Sequence, residues 1–351
     1  MARIVFYCHD TKENIRTMGY YSQDVDALRA LGHDVVVCNR YRDIPWRFDV
    51  LVVWWWTFAL LPVLFARLAG RVALITGTFN FRFEEQQAGH DYFHRPLHQR
   101  ALIALAARLA SANIFVGRRE YEAVPAYFRL RNSFYAPHAV GDDCFAVRGR
   151  AEVRTLLLNL AWSSHPNLQR KGVWTILDAA ALLQARGRQF DMVLAGKVGD
   201  GLPALRQRIG ELGLSDSVRA IGEVSQQEKL DLFAQTLLYL QPSFFEGFGL
   251  ATAEAAAAGC CVITADVGEV RTVMGDECRY VAPGDAAALA DAIEELLADP
   301  QKAAAISQRV GEHIGAGFSA GAKRQTFETI LGAMGVASVP GDDRDCSIGG
   351  A

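Results

Sequence analysis

Cysteine pairs are missing from this 351-residue chain. Among Cys8, Cys38, Cys144, Cys260, Cys261, Cys278 and Cys346 none stands in a C-x-x-C spacing, and the count is odd. That pattern predicts reduced thiols in a cytoplasmic protein, with Cys8 and Cys38 serving as small hydrophobes in strand-like runs. No signal peptide is expected, because MARIVFYCHD is one short apolar run followed by charge. Long apolar runs are scarce as well. The one membrane-like stretch, Val50 to Ala66, lies at the lower limit of a spanning helix, contains Pro62 and carries three consecutive tryptophans. A strand over 50–56 followed by a helix with Pro62 in its first turn accounts for it better than a span. No repeat of solenoid period is evident. Net charge is only −3, although it divides into +5 for residues 1–150 and −8 for the rest. Arg100, Arg108, Arg118, Arg119, Arg129 and Arg131 fall close together. Such a basic half suits an anionic lipid surface or an acidic acceptor, and equally an ordinary solvated face.

What is present is apolar: 51% of residues, enough for well-packed cores and incompatible with disorder over most of the length. The length predicts two domains. Strand-like and helix-like segments alternate, which implies parallel sheets covered on both faces. Strands are expected at 3–8, 34–38, 50–55, 72–76, 113–116 and 134–136. A second series follows at 153–158, 192–195, 218–221, 237–240 and 261–264. Helices are expected near 22–31, 97–110, 172–185, 202–212, 226–234, 250–258, 286–298 and 320–334. This divides the chain into an N-terminal unit (1–150), a second unit (151–320), a C-terminal helix (321–335) returning to the first, and a disordered tail (336–351). Two doubly wound domains in tandem place a cleft at the carboxyl ends of both sets of strands.

The segment 237–268 carries the chemistry. A buried strand ends at Pro242, and the loop Ser243 to Gly249 leads into an alanine-rich helix. Gly247 and Gly249 permit close approach to the backbone, and free N–H groups at a helix start bind phosphate. Glu246 and Glu254 flank this point. Carboxylates repel phosphate but accept hydrogen bonds from hydroxyls on either side of it, the layout of a sugar nucleotide. Taken alone, Glu254 is equally an N-terminal helix charge.

The string P-S-x-x-E-G-F-G-L-x-x-x-E-A-x-A-x-G, followed by a short apolar strand and D-V-G, resembles the donor-site signature of glycosyltransferase group 1, family 4 of the retaining enzymes. Residues 169–183 (QRKGVWTILDAAALL), 193–201, 218–224 and 280–289 fall in the order of that family. The resemblance implies the GT-B fold, two Rossmann-like α/β domains facing a central cleft, and sugar transfer from a UDP- or GDP-sugar to a glycan or lipid-linked acceptor of envelope or exopolysaccharide assembly. It implies that Glu246 contacts hydroxyls of the transferred sugar and Glu254 those of the ribose. The backbone of Gly247, Phe248, Gly249 and Leu250 would line the sugar-diphosphate pocket, Lys171 and Arg170 would neutralise the diphosphate, and Val224 would border the base. No cofactor and no metal are expected, because cations and helix dipoles stabilise the departing diphosphate. Arg170 and Lys171 are equally an ordinary helix-start pair. Where the family has a further basic residue, this chain offers His165.

The first domain departs from the family. One glycine, Gly19, stands where a glycine pair approaches the donor phosphate, and Thr76 to Asn80 contains no histidine. The sequence leaves open a sugar-nucleotide epimerase of the same architecture and a catalytically silent partner subunit that keeps the donor fold. Two decoys are set aside. His90, His94 and His98 have a zinc-helix spacing broken by Pro96. Gly199-x-Gly201 follows a strand as in a dinucleotide fingerprint, but Pro203 interrupts it. Of Trp54, Trp55 and Trp56, alternation sends at least one to each face of the sheet, for core packing or for a sugar- or lipid-facing wall.

Overall fold

The computed structural model describes residues 1–81, 91–150 and 154–337. Most of the expected tail, Cys346 and His90 lie outside them. In chain order the elements are β1 (Arg3–Cys8), α1 (Lys12–Thr17), α2 (Gly19–Ala30), β2 (Asp34–Cys38), β3 (Val50–Trp54), α3 (Leu60–Leu68), β4 (Val72–Thr76), α4 (Leu97–Leu109), β5 (Ala112–Phe115), α5 (Arg118–Phe128) and β6 (Ser133–Tyr135). They continue with α6 (Asp142–Ala146), β7 (Leu156–Leu160), α7 (His165–Arg170), α8 (Val173–Ala185), β8 (Asp191–Ala195), α9 (Leu202–Glu211), β9 (Val218–Gly222), α10 (Gln226–Gln235) and β10 (Thr236–Gln241). The chain closes with α11 (Leu250–Ala257), β11 (Cys261–Thr264), α12 (Val270–Met274), β12 (Arg279–Tyr280), α13 (Ala286–Ala298), α14 (Pro300–Phe318) and α15 (Ala320–Ala333).

Two units result: Met1–Ala139 together with the chain from Ala320 onward, and Val140–Ser319. The boundary falls at Ala139/Val140 and not at residue 150, because α6 packs against α11. The first unit holds a parallel sheet in the order β2-β1-β3-β4-β5-β6. Its inner strands are apolar on both faces, as sheets covered on both sides require. Trp54 and Trp56 belong to the cores on opposite faces. Trp54 Nε1 donates to Asp24 Oδ2 at 3.0 Å, and Trp56 stacks on Phe115 at 5.1 Å. On one face α15 buries Phe327, Ile330 and Leu331 against α2. Lys323 of α15 reaches Asp24 Oδ1 at 2.7 Å and the Pro137 carbonyl at 2.8 Å.

The second unit is also parallel, ordered β12-β11-β10-β7-β8-β9. The chain runs outward from β7 through β8 and β9, then returns to place β10 on the other side of β7. That reversal leaves a crevice beyond the carboxyl ends of β7 and β10, the usual ligand position in open α/β sheets. Several helices are absent from the sequence expectation, α1 and α14 among them. Gly311, Gly315 and Gly317 within α14 disfavour a helix locally. One of them packs closely: a Cβ on Gly311 would lie 2.5 Å from Arg148 Nη1, and that guanidinium would have to move.

Candidate functional site

The crevice is built from four segments of the second unit. β10 is buried throughout its second half, and its last residue, Gln241, is fully buried. The chain then leaves the sheet at Pro242 and re-enters helix at α11. Gly249 makes the junction with φ +84°, a left-handed conformation that favours glycine. No side chain caps the first turn of α11. Its leading N–H groups are therefore available to an anion. The side chain of Thr252, also in that turn, is fully buried and its hydroxyl has no hydrogen-bond partner.

The second segment is the junction of α7 and α8. Gly172 has φ +69°, and a Cβ there would lie 2.2 Å from the Pro242 carbonyl oxygen. Phe244 N donates to the Arg170 carbonyl at 2.8 Å, so the two turns are joined through their backbones. The third is Gly268, at φ +55°, whose Cβ would fall 1.7 Å from the Glu246 carbonyl oxygen. The fourth is α10, which carries Lys229.

These contacts fix one carboxylate. Glu246 is buried at 6% exposure, and its Oε1 takes the Lys171 ammonium. The same oxygen accepts from Gln241 Nε2 at 2.8 Å and from Ser243 Oγ at 3.4 Å. Tyr239 Oη in turn donates to Gln241 Oε1 at 2.7 Å, which fixes the amide orientation. Burial pushes the Tyr239 phenol far above its usual range, so it stays a donor. Arg170 Nη1 is 3.8 Å from Glu246 Oε2, but its hydrogen bonds go to the Phe245 carbonyl (2.9 Å) and Asn167 Oδ1 (2.6 Å). Arg170 thus braces the loop that carries Glu246. The pair ends α7 and does not start a helix.

Glu254 lies on α11 and is engaged by Lys229 Nζ at 2.9 Å. Phe248 is buried against Phe318, ring centroids 5.8 Å apart. Leu250 is half-buried at the helix start. Gly247 is exposed, and a Cβ there would meet nothing within 4 Å. Its missing side chain is therefore not demanded by packing. Val224 is half-buried beside the capping box of Ser225 and Glu228 that opens α10. Gly19 lies in the first unit, as the first residue of α2.

Gln241, Ser243, Tyr239 and Lys229 were not anticipated from sequence. One signal existed for Gln241: a lone amide closing an otherwise apolar buried strand. Lys229 has none, since its partner is 25 positions away on another helix. The dinucleotide decoy also finds its explanation. A Cβ on Gly199 or Gly201 would meet the backbone of Ser164 at 2.5 Å or Ser163 at 2.8 Å, so these glycines serve loop packing. His94 Nδ1 lies 2.8 Å from Asp91 Oδ1, and among the described residues no His, Cys, Asp and Glu cluster is placed to hold a metal ion.

The first unit has its own polar group, after β1 and β3. His9 stacks on Phe58 at 4.1 Å, with Nδ1 3.2 Å from Tyr7 Oη. Asp10 accepts from Tyr21 Oη at 2.9 Å and Asn14 Nδ2 at 2.8 Å. Burial opposes its ionisation, but these hydrogen bonds and that of Thr11 N outweigh it and hold the carboxyl below its usual range. Trp55, whose Nε1 donates to Tyr21 Oη at 2.9 Å, has φ +92°, a strained value for a residue with a side chain.

Known proteins resemble the chain in sequence and in fold. The family profile of glycosyl transferases group 1 matches residues 161–313. The MMP alpha-(1->4)-mannosyltransferase of Mycolicibacterium hassiacum is 32% identical over 169 residues, 47% of this chain and 40% of that protein. The D-inositol 3-phosphate glycosyltransferase of Frankia alni is 35% identical over 159 residues, 42% of this chain and 39% of that protein. The chain thus spans about two fifths of the length of these relatives. Among solved structures, Anabaena Alr3699/HepE in complex with UDP superposes with a TM-score of 0.73 at 17% identity, covering 94% of this chain and all of that one. The chain has the GT-B fold, and its residues 161–313 match the domain of the glycosyl transferases group 1.

Proposed function

We propose that the protein is a retaining hexosyltransferase that moves a sugar from a UDP- or GDP-sugar to a glycan or lipid-linked acceptor of cell-envelope or exopolysaccharide assembly. The observation that carries this reading is the buried Glu246 carboxylate held by Lys171 beside the uncapped start of α11. Relatives bearing mannosyltransferase names and solved neighbours bound to UDP and UDP-glucose support it.

In this reading the diphosphate lies on the first-turn N–H groups of α11, where the helix dipole favours negative charge. Lys171 is shared between Glu246 and the leaving phosphate. Glu246, already supplied with three donors, orients its free lone pairs to hydroxyls of the transferred sugar. Glu254, with Lys229, serves the ribose. Positive charge from Lys171, Arg170 and the helix start stabilises the departing diphosphate, so transfer needs no metal. The transition state is oxocarbenium-like, and the acceptor attacks on the face the leaving group vacates. His9, Asp10 and Trp55 belong to the acceptor side. His9→Ala is expected to raise the acceptor KM and leave the donor KM unchanged. The protein works in the cytoplasm, peripherally at the inner face of the plasma membrane.

A screen of nucleotide-sugars by nucleotide release, with and without extracts of lipid-linked glycans, tests the assignment. Acceptor-dependent release with an α-configured product from an α-linked donor is the expected result. Acceptor-independent release of epimerised sugar, or no binding of any sugar nucleotide by calorimetry, overturns it.

A further inference from the structure

The geometry points to the outer face of α3 and α4 as a docking surface for an anionic lipid bilayer, a membrane-surface contact that the helices make lying flat. Helix α3 reads LLPVLFARL and has one polar side chain, Arg67. A helix so apolar is expected to be buried on all sides. Instead Leu61 and Leu68 are 61% and 88% exposed. Helix α4 lies alongside α3 and is tied to it by Arg67 Nη1 donating to the Leu109 carbonyl at 3.3 Å. Its outer face presents Leu102 and Leu105, both exposed, one turn apart. Trp46, 86% exposed, extends the same surface, with its ring edge-on to Phe65 of α3 at 5.5 Å. Three neighbouring elements therefore expose large apolar side chains among the described residues.

Charge selects the occupant. Residues 50–83 and 92–119 contain no aspartate or glutamate. Both helices fall inside these stretches, so every formal charge on them is positive. Arg47 follows Trp46, Arg67 precedes Leu68 on α3, and Arg108 lies one turn after Leu105 on α4. All three are exposed, and among the described residues none forms an ion pair. Arg108 Nε only reaches the Phe128 carbonyl, at 3.2 Å. Asp49, at the start of β3, is already engaged by Arg3 N at 2.8 Å and Arg71 at 3.4 Å. Leucine and tryptophan flanked by unpaired arginine are what an interfacial helix presents to anionic headgroups, the rings and leucines entering the acyl boundary while guanidinium groups meet phosphates. A second protein copy would bring the same arginines against each other. Among the described residues no helix is long and apolar enough to cross a membrane, so the contact is with one leaflet. The surface coincides only in part with the sequence expectation: of Arg100, Arg108, Arg118, Arg119, Arg129 and Arg131, Arg100 and Arg108 lie on α4. Arg118 pairs with Glu122 at 2.9 Å, and Arg129 and Arg131 lie beyond the two leucine-bearing helices.

The inference deepens the peripheral localisation in the proposed function, and its test uses neither donor nor acceptor. The full chain is sedimented with vesicles of phosphatidylcholine alone or mixed with phosphatidylglycerol. Binding to the mixed vesicles is expected to be at least about ten-fold tighter and to weaken with salt. Leu61→Gln/Leu68→Gln and, separately, Leu102→Gln/Leu105→Gln should each lose it with unchanged circular dichroism. Arg67→Gln and Arg108→Gln should each lower affinity about five-fold on the mixed vesicles only. Quenching of tryptophan fluorescence by brominated lipid should disappear in Trp46→Phe. Equal binding to both vesicle types, binding unaffected by the leucine substitutions, or a concentration-dependent dimer abolished by them would each overturn the assignment.

Discussion

Lys171 and Glu246, 75 positions apart, form an ion pair in which neither side chain is more than 13% exposed. Removing one partner leaves the other charge in a crevice where little water reaches it. Lys171→Ala and Glu246→Ala should each cost on the order of 3 kcal/mol of stability while the fold survives, and each should abolish transfer. The double substitution should melt higher than either single one, because no uncompensated charge remains, and still be inactive. Thermal melts beside nucleotide-release assays check this. Full activity in both single variants would remove these residues from the site.

Gln241 offers a subtler test. It bridges Tyr239 and Glu246 and touches nothing exposed. Gln241→Leu keeps the volume but leaves a buried phenol without its acceptor and frees one side of the Glu246 carboxylate. A stability loss of about 1–3 kcal/mol is expected. The donor KM should rise less than kcat falls, because Gln241 orients a carboxylate and does not itself bind. An unchanged kcat would show that Glu246 is positioned without it.

Two glycines of the site should behave oppositely. At Gly268 a Cβ would fall 1.7 Å from a carbonyl oxygen, at positive φ. Gly268→Ala must displace the loop bearing Glu246 and should lower both stability and activity. At Gly247 a Cβ enters open space. Gly247→Ala should leave the melting temperature unchanged and weaken nucleotide-sugar binding about ten-fold or more, since the methyl group occupies room that the donor uses. Calorimetric titration separates the cases. Unaltered affinity in Gly247→Ala would place the donor elsewhere.

The strands were legible because a parallel sheet buried on both faces writes each strand as an unbroken apolar run. Arg3–Cys8, Asp34–Cys38, Val72–Thr76 and Cys261–Thr264 fall where the runs predict. Glu246, Gly249 and Glu254 were legible because a strand, a loop and a helix start are contiguous in sequence. What was hidden depends on distance. Gly311, a helix breaker locally, sits in α14 beside the guanidinium of Arg148, which a side chain there would have to displace. Lys229 meets Glu254, and Gly268 meets Glu246, only through the packing of separate elements. The exposure of Leu61 and Leu68 on α3 was not legible, because hydropathy records what a residue is and not which way it faces.

His138 supplies a pH test in the first unit. It is 7% exposed, and burial, reinforced by the positive charge of Lys323, lowers its pKa to about 3. Its Nδ1 lies 2.9 Å from Gln23 Nε2, so the ring accepts there and is neutral in the folded state. In the unfolded chain the ring has its ordinary pKa near 6.5. Below that value the unfolded state takes up a proton that the folded state refuses. Stability from this group is therefore complete above about pH 6.5 and is lost as the pH falls toward 3, with a slope approaching about 1.4 kcal/mol per pH unit. His138→Gln removes the ionisable ring and keeps a polar side chain. Its unfolding free energy should be lower than that of the parent at pH 8, yet should fall less steeply between pH 6 and pH 4 in the proportion just given, about one proton per molecule. Urea melts across that range measure the difference. Parallel acid limbs in the two proteins would mean that His138 binds its proton in the folded state as readily as in the unfolded one, and would overturn this account.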